Sequence, residues 1–289
     1  MFTSMKSIEE AAASSNKPIW ELIMKDDAFD EGISENTSFE QMKKMYLAMT
    51  DSVNHYDKNL KSMSGLSGTD AYKIHLGIEQ NNLVSGTFIA NVIEKALMVA
   101  ESNACMKRIV ASPTAGSCGV VPAVLISYQN EKDESDDTLA KALYVAAGIG
   151  GVNAAKASLS GAEGGCQAEI GSASAMAAGA LTFLRGGNPH QIFQASGIAL
   201  KGLLGLVCDP VAGLVEVPCV KRNVIGAVNA ITASDMAICG IESQIPPDEV
   251  VDAMKSVGKM MSPALRETGE GGLAATITGQ KIAKRLKEQ

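Results

Sequence analysis

Apolar residues return at three- and four-residue steps along most of this chain, and that period commits it to helices. Phe39, Met42, Met45, Tyr46, Met49, Val53 and Tyr56 fall on one face of a long N-terminal helix. A second stripe, Ile89, Val92, Ile93, Ala96, Leu97 and Ala100, predicts another helix that ends before Ser112-Pro113. The period continues through much of 139–147, 170–184, 189–207, 224–238 and 248–260, with Pro189 and Pro247 placed as helix starts. Strand signal is thin: 112–128 is rich in valine, but Pro122 interrupts it and a buried helix fits as well. The expected fold class is all-α. With 46% hydrophobic but only 4% aromatic residues, 28 Gly and 14 Met, the core must be built from Ala, Leu, Ile, Val and Met, which suits closely packed helices.

Gly, Pro and Ser break the helical pattern at 62–69, 112–119, 148–165, 208–218 and 268–272, and these breaks are expected to converge on one site. No repeat, heptad array, linker or firm domain boundary stands out, so residues 1–289 are expected to act as one catalytic domain. A net charge of −7 argues against broad nucleic-acid affinity. The most apolar stretch, 195–217, is interrupted by Lys201 and Asp209, which argues against a membrane span. Six cysteines are too few for a disulfide scaffold in a chain of 289 residues, and no secretory leader is evident. A cytoplasmic protein with reduced thiols is expected. The basic run Lys281, Lys284, Arg285 and Lys287 reads as a helix end, and the acidic stretch 131–137 as a solvated loop.

Cys166, Cys208 and Cys219 stand out because each sits beside small or turn-forming residues: Gly-Gly-Cys166-Gln, Val-Cys208-Asp-Pro and Val-Pro-Cys219-Val. Their wide separation excludes the clustered spacing of a zinc knuckle or ferredoxin, so any site they build is assembled by the fold. Three thiolates on a four-iron cube would leave one iron open as a Lewis acid; the competing reading is three buried apolar thiols.

Two hydroxyl-rich turns are candidates to bind a small carboxylate through backbone N–H and side-chain donors. One contains Ser62, Ser64, Gly65 and Ser67; the other contains Ser112, Thr114, Ala115, Gly116 and Ser117. Ordinary helix capping is the commoner role of such residues, and neither segment fits a P-loop or a dinucleotide-binding turn. Among the three histidines, His55 reads as structural, His190 as capping or surface, and His75, which follows the first turn, as a possible site residue.

The runs SPTAGSCGVVPAVL (112–125), SGAEGGCQAEIGSASAMAAGAL (160–181) and CDPVAGLVEVPCVKRNVIGAVNA (208–230) closely resemble the iron-sulfur L-serine dehydratases, specifically the α chain of the two-subunit type. The resemblance extends more loosely over about 62–273. It implies an oxygen-sensitive [4Fe-4S] cluster held by Cys166, Cys208 and Cys219, an all-helical catalytic domain, and deamination of L-serine to pyruvate and ammonia without pyridoxal phosphate, in amino-acid degradation and gluconeogenesis. The open iron would act as Lewis acid for loss of the serine hydroxyl.

In single-chain relatives a separate domain supplies a Ser-Ser-His-Thr motif, which this sequence lacks. The resemblance therefore implies a separate β chain that contributes the proton-abstracting base, in a heterodimer or higher oligomer. Some single-chain relatives end in a cysteine that reaches the fourth iron, whereas this sequence ends Lys-Glu-Gln289; water or a partner's group is expected there instead. Cys105, Cys118 and Cys239 match no cluster position. Two rivals remain at this stage. A pyridoxal-phosphate dehydratase would use Lys156 and would want alternating strands and helices. An electron-transfer or iron-sensing protein would want a fourth cysteine, Cys118 or Cys239.

Overall fold

The starts of five helices follow from local side-chain chemistry. Ser4, Ser34, Ser135, Asn188 and Thr276 each accept a hydrogen bond from the backbone N–H three residues on, which satisfies one of the donors a helix start leaves free. Each such cap contributes about 1 kcal/mol. In the computed structural model, which describes residues 2–288, these and other starts produce thirteen α-helices among the described residues. The first seven are Met5–Ser15 (α1), Ile19–Glu31 (α2), Glu35–Asn54 (α3), Asp70–Glu79 (α4), Gly86–Ala104 (α5), Val120–Lys132 (α6) and Asp136–Lys156 (α7). A single turn, Gly161–Gly164 (α8), precedes Ser172–Leu184 (α9), Pro189–Lys201 (α10), Cys219–Ile238 (α11), Pro247–Met260 (α12) and Ile277–Lys287 (α13). The only extended pairing among the described residues is an isolated parallel bridge between Cys208 and Arg266, so the fold is all-α as expected. Gln289 lies outside the described residues.

Helix α9 is the axis of the molecule. Ser172 through Thr182 are all buried, and the run is almost entirely Ala, Ser, Gly, Met and Leu, so α9 presents an apolar surface on every side. Helices α6, α7, α10 and α11 pack around it. One apolar cluster runs through these helices and out to Met5 of α1 and Met254 of α12, and a smaller one joins Ala71, Leu97, Ala100 and Val220. Each Leu or Ile buried in this core contributes about 1.5–3 kcal/mol.

Several expectations need correction. The predicted break at 148–165 shrinks to the residues after Lys156, because α7 runs uninterrupted through Gly148, Gly150 and Gly151. A side chain at Gly148 would press to within 2.4 Å of Ile23, so that glycine serves close packing of α2 on α7 and not a turn. The valine-rich 120–128 stretch is helix, with Pro122 in the first turn, where no backbone N–H is required. Helix α10 stops at Lys201, short of 207, and Tyr56 lies beyond the end of α3. On α3, Tyr46 and Met49 are fully covered whereas Met45 is 47% exposed, so the buried face is narrower than the apolar stripe.

Candidate active site

The three framed cysteines come from three distant stretches, and the turns around them put them in one place. Cys166 opens a helical run whose first full turn, Gln167–Gly171, is a π-helical turn that leads directly into α9. Before it, Gly165 has φ +76°, and a Cβ there would lie 2.7 Å from Met261 and 2.9 Å from the Leu206 carbonyl. Conformation and space both demand glycine. The buried Gln167 pins this turn: its amide donates to the Gly164 carbonyl (2.9 Å) and the Met254 carbonyl (3.0 Å) and accepts from the Gly205 N–H (2.9 Å). Cys208 is held by its backbone, donating to the Leu265 carbonyl (2.9 Å) and accepting from the Glu267 N–H (2.7 Å). Cys219 is the first residue of α11.

All three thiols are buried, free of disulfides and within electrostatic reach of one another. Burial pushes the Cys166 thiol up to about 11, offset in part by the Arg222 guanidinium, and pushes Cys219 up to about 12 with further elevation from Cys166. Cys208 is raised furthest, first by burial and then by Cys166, Glu169, Glu267 and Cys219. Two of the thiols sit at helix starts, where the backbone dipole favours an anion. The donor set is therefore three protonated, crowded soft ligands that a cation would relieve by displacing their protons. Among the described residues no group of three His, Cys, Asp or Glu side chains is arranged to hold a single metal ion.

Sequence reasoning missed three residues that complete this site. Glu169 is the only charged residue in 164–184, and that isolation was its signal. Its carboxylate accepts from the Thr114 hydroxyl at 2.8 Å and faces the thiols. A Cβ built on Gly161 would lie 2.8 Å from both the Cys208 Sγ and the Glu169 Oε2, so thiol and carboxylate meet over that glycine. Arg222 donates to the Asp209 carboxylate (2.8 Å) and to the Val207 carbonyl (2.7 Å), and its charge lies beside the Cys166 thiol. Asn223 is buried and stitches the second turn to α11: it accepts from the Gly119 N–H (2.8 Å) and donates to the carbonyls of Gly116 (2.8 Å) and Cys219 (3.0 Å).

Both predicted turns lie beside this assembly, by different means. The Ser62 and Ser64 hydroxyls donate to the Glu216 carboxylate at 2.6 and 2.8 Å, tying their turn to the segment between Cys208 and Cys219. Within that turn, Gly65 donates to the Ser62 carbonyl and the Ser67 carbonyl accepts from the Ser62 N–H. In the second turn, Ala115, Gly116 and Ser117 form a single 3₁₀ turn, closed by reciprocal bonds between Thr114 and Ser117. A Cβ on Gly116 would fall 3.1 Å from the Glu169 Oε1, so this turn abuts the carboxylate. The Ser112 hydroxyl is buried without a hydrogen-bond partner.

The remaining candidates are engaged elsewhere. His55 contacts Asp51, His75 contacts Glu94 at 2.9 Å and stacks on Tyr72, and His190 lies between Glu9 and Glu242. Lys156 pairs with Asp252 at 3.2 Å. Cys118 is fully buried against the Val99 carbonyl, and its thiol is pushed up to about 12 by burial alone. Cys239 caps the far end of α11, about 30 Å from Cys219 at the rise of an α-helix. Among the described residues no helix is long and apolar enough to cross a membrane.

Comparison with known proteins bears directly on these segments. The family profile described as serine dehydratase alpha chain matches residues 14–274. A protein named "Probable L-serine dehydratase, alpha chain" from Bacillus subtilis (strain 168) is 45% identical over 289 residues, covering 99% of this chain and 95% of that one. The "L-serine dehydratase, alpha chain" of Peptoniphilus asaccharolyticus is 49% identical over 201 residues, 70% of this chain and 69% of its own. Similarity to the "L-serine dehydratase TdcG" of Escherichia coli (strain K12), 45% over 184 residues, covers 63% of this chain but only 40% of that protein. A family match across the cysteine-bearing stretches, joined to a helical fold that gathers those cysteines, places this chain in the serine dehydratase alpha chain family.

Proposed function

We propose that this chain is the α subunit of a pyridoxal-phosphate-independent L-serine dehydratase, acting as one catalytic domain that deaminates L-serine to pyruvate and ammonia. The observation that carries this reading is that Cys166, Cys208 and Cys219, buried and free of disulfides, come within electrostatic reach of one another. Three soft thiol donors gathered from distant stretches suit a [4Fe-4S] cluster. When bound, such a cluster supplies an iron without a protein ligand as Lewis acid for loss of the substrate hydroxyl.

This chain's own residues shape the rest of the pocket. The turn from Thr114 to Ser117 and the turn from Ser62 to Ser67 offer backbone N–H groups and hydroxyls for the substrate carboxylate. Glu216 and Asn223 hold those turns against the cysteine segments. Burial of all three thiols keeps bulk water from the reacting centre. The three imidazoles are committed outside the pocket, so the base that takes the α-proton comes from a separate β chain in a heterodimer or larger assembly. Relatives named as alpha chains support that division of labour, as does the longer Escherichia coli protein, of which this chain spans 40%.

A cluster used only for electron transfer or sensing would want a fourth thiolate, but Cys118 points at the Val99 carbonyl and Cys239 lies at the opposite end of α11. A pyridoxal-phosphate dehydratase would want alternating strands and helices, which an all-α fold does not supply.

The test is iron and acid-labile sulfide per chain after anaerobic purification, with serine turnover measured once the β chain is added. Roughly four of each are expected for a [4Fe-4S] site. Cys166→Ser, Cys208→Ser and Cys219→Ser should each abolish iron binding, while Cys105→Ser and Cys239→Ser leave it intact. A folded Cys208→Ser protein with full iron would overturn the assignment.

A further inference from the structure

Glu169 is a carboxylate with less compensation than its position demands. One of its oxygens accepts a single hydrogen bond, from Thr114, and the other lies over Gly161 beside the Cys208 thiol. The charged group beside it is also an acid, Glu267, and the neighbouring thiols offer no positive charge. Arg222, the cation closest to the thiols, is already committed to Asp209, the Val207 carbonyl and Cys166. Holding a half-buried carboxylate without a counter-charge carries a desolvation cost, which a cation that arrives with the ligand would relieve.

The geometry points to Glu169 as the receptor for the substrate's α-ammonium group, and hence as the residue that makes this site select an amino acid over the corresponding hydroxy acid. The inference rests on the function proposed above. An amino acid brings a positive charge that is not already committed elsewhere, and the Thr114 hydroxyl engages one carboxylate oxygen while the other lies over Gly161 beside Cys208. Charge-assisted N–H···O bonds of this kind are roughly twice as strong as neutral ones. A site built around such a bond discriminates strongly against ligands that lack the donor.

The experiment compares L-serine with 3-hydroxypropanoate, the same acid without its amine, binding to the anaerobic holoenzyme assembled from this chain and its β chain. Binding is read by calorimetry, alongside iron content and turnover. Glu169→Gln should keep full iron and weaken L-serine binding about tenfold or more, with 3-hydroxypropanoate affinity unchanged. Glu169→Asp should recover part of the loss. Should Glu169→Gln fail to fold, Glu169→Asp, which keeps the charge but withdraws it by one methylene, should weaken L-serine alone by a few-fold. Equal loss of both ligands, loss of iron, or a collapse of kcat with unchanged L-serine affinity would each overturn the assignment. Iron and serine turnover of the unsubstituted holoenzyme test the underlying function separately, whereas the contrast between the two ligands tests Glu169.

Discussion

Two hydroxyl-rich turns each meet one carboxylate, and the two carboxylates live in opposite circumstances. Glu216 is buried and receives two serine hydroxyls, one on each oxygen, so its charge is well distributed. Glu169 receives one hydroxyl and looks onto three thiols. The first arrangement is what a fold does with a carboxylate it needs for cohesion. The second is what remains when a carboxylate is held ready for something else, at some cost in stability.

Substitutions can break or sharpen that contrast. Glu216→Ala should have the largest effect, about 3 kcal/mol lost from the stability of the cluster-free chain, because it leaves the Ser62 hydroxyl buried without its acceptor and frees a whole turn. The urea midpoint of unfolding measures it, and a loss below about 0.5 kcal/mol, within the range of ordinary surface changes, would erase the distinction. Ser62→Ala should cost about 1–2 kcal/mol in the same assay, since it removes one of the two donors to a buried charge. Ser64→Ala should cost less than about 1 kcal/mol, its position being more open to water.

Glu169→Gln should be the smallest and of opposite sign, leaving the cluster-free chain as stable as before or slightly more so at neutral pH. Burial raises the Glu169 carboxyl above its ordinary value, outweighing the Thr114 hydrogen bond. Between its unfolded and folded pKa values the native state holds a proton that the unfolded state has released. This group's contribution therefore falls as pH rises from about 4.5 through the raised folded value. The glutamine variant should lack that part of the decline, which parallel pH titrations of the urea midpoint would detect.

Much of the architecture is written in periodicity. The stripes on α3 and α5, the Asn188-Pro189 start and the three framed cysteines can be read without coordinates, because each depends on neighbours in the chain. Gly148 misleads for the converse reason: the residue that makes it a packing position, Ile23, is far away in sequence. Glu169, Arg222 and Asn223 belong to the same class. Each is an ordinary helical residue until Thr114, Asp209 or Gly116 is brought against it by the fold. The lone charge of Glu169 in an otherwise uncharged stretch was legible, but its partner was not.

The π-helical turn at Gln167–Gly171 has a consequence for how this site could be lost. Such a turn holds one residue more than the α-helical turn it replaces, and an α-helix advances about 100° per residue. Deleting one residue from 167–171 would let the segment relax into uninterrupted α-helix and keep α9 seated on its neighbours. The residues before the deletion, Cys166 among them, would swing about 100° around the axis. A chain altered in that way would still fold while pointing a thiol away from its two companions, so one codon separates the scaffold from the pocket it carries.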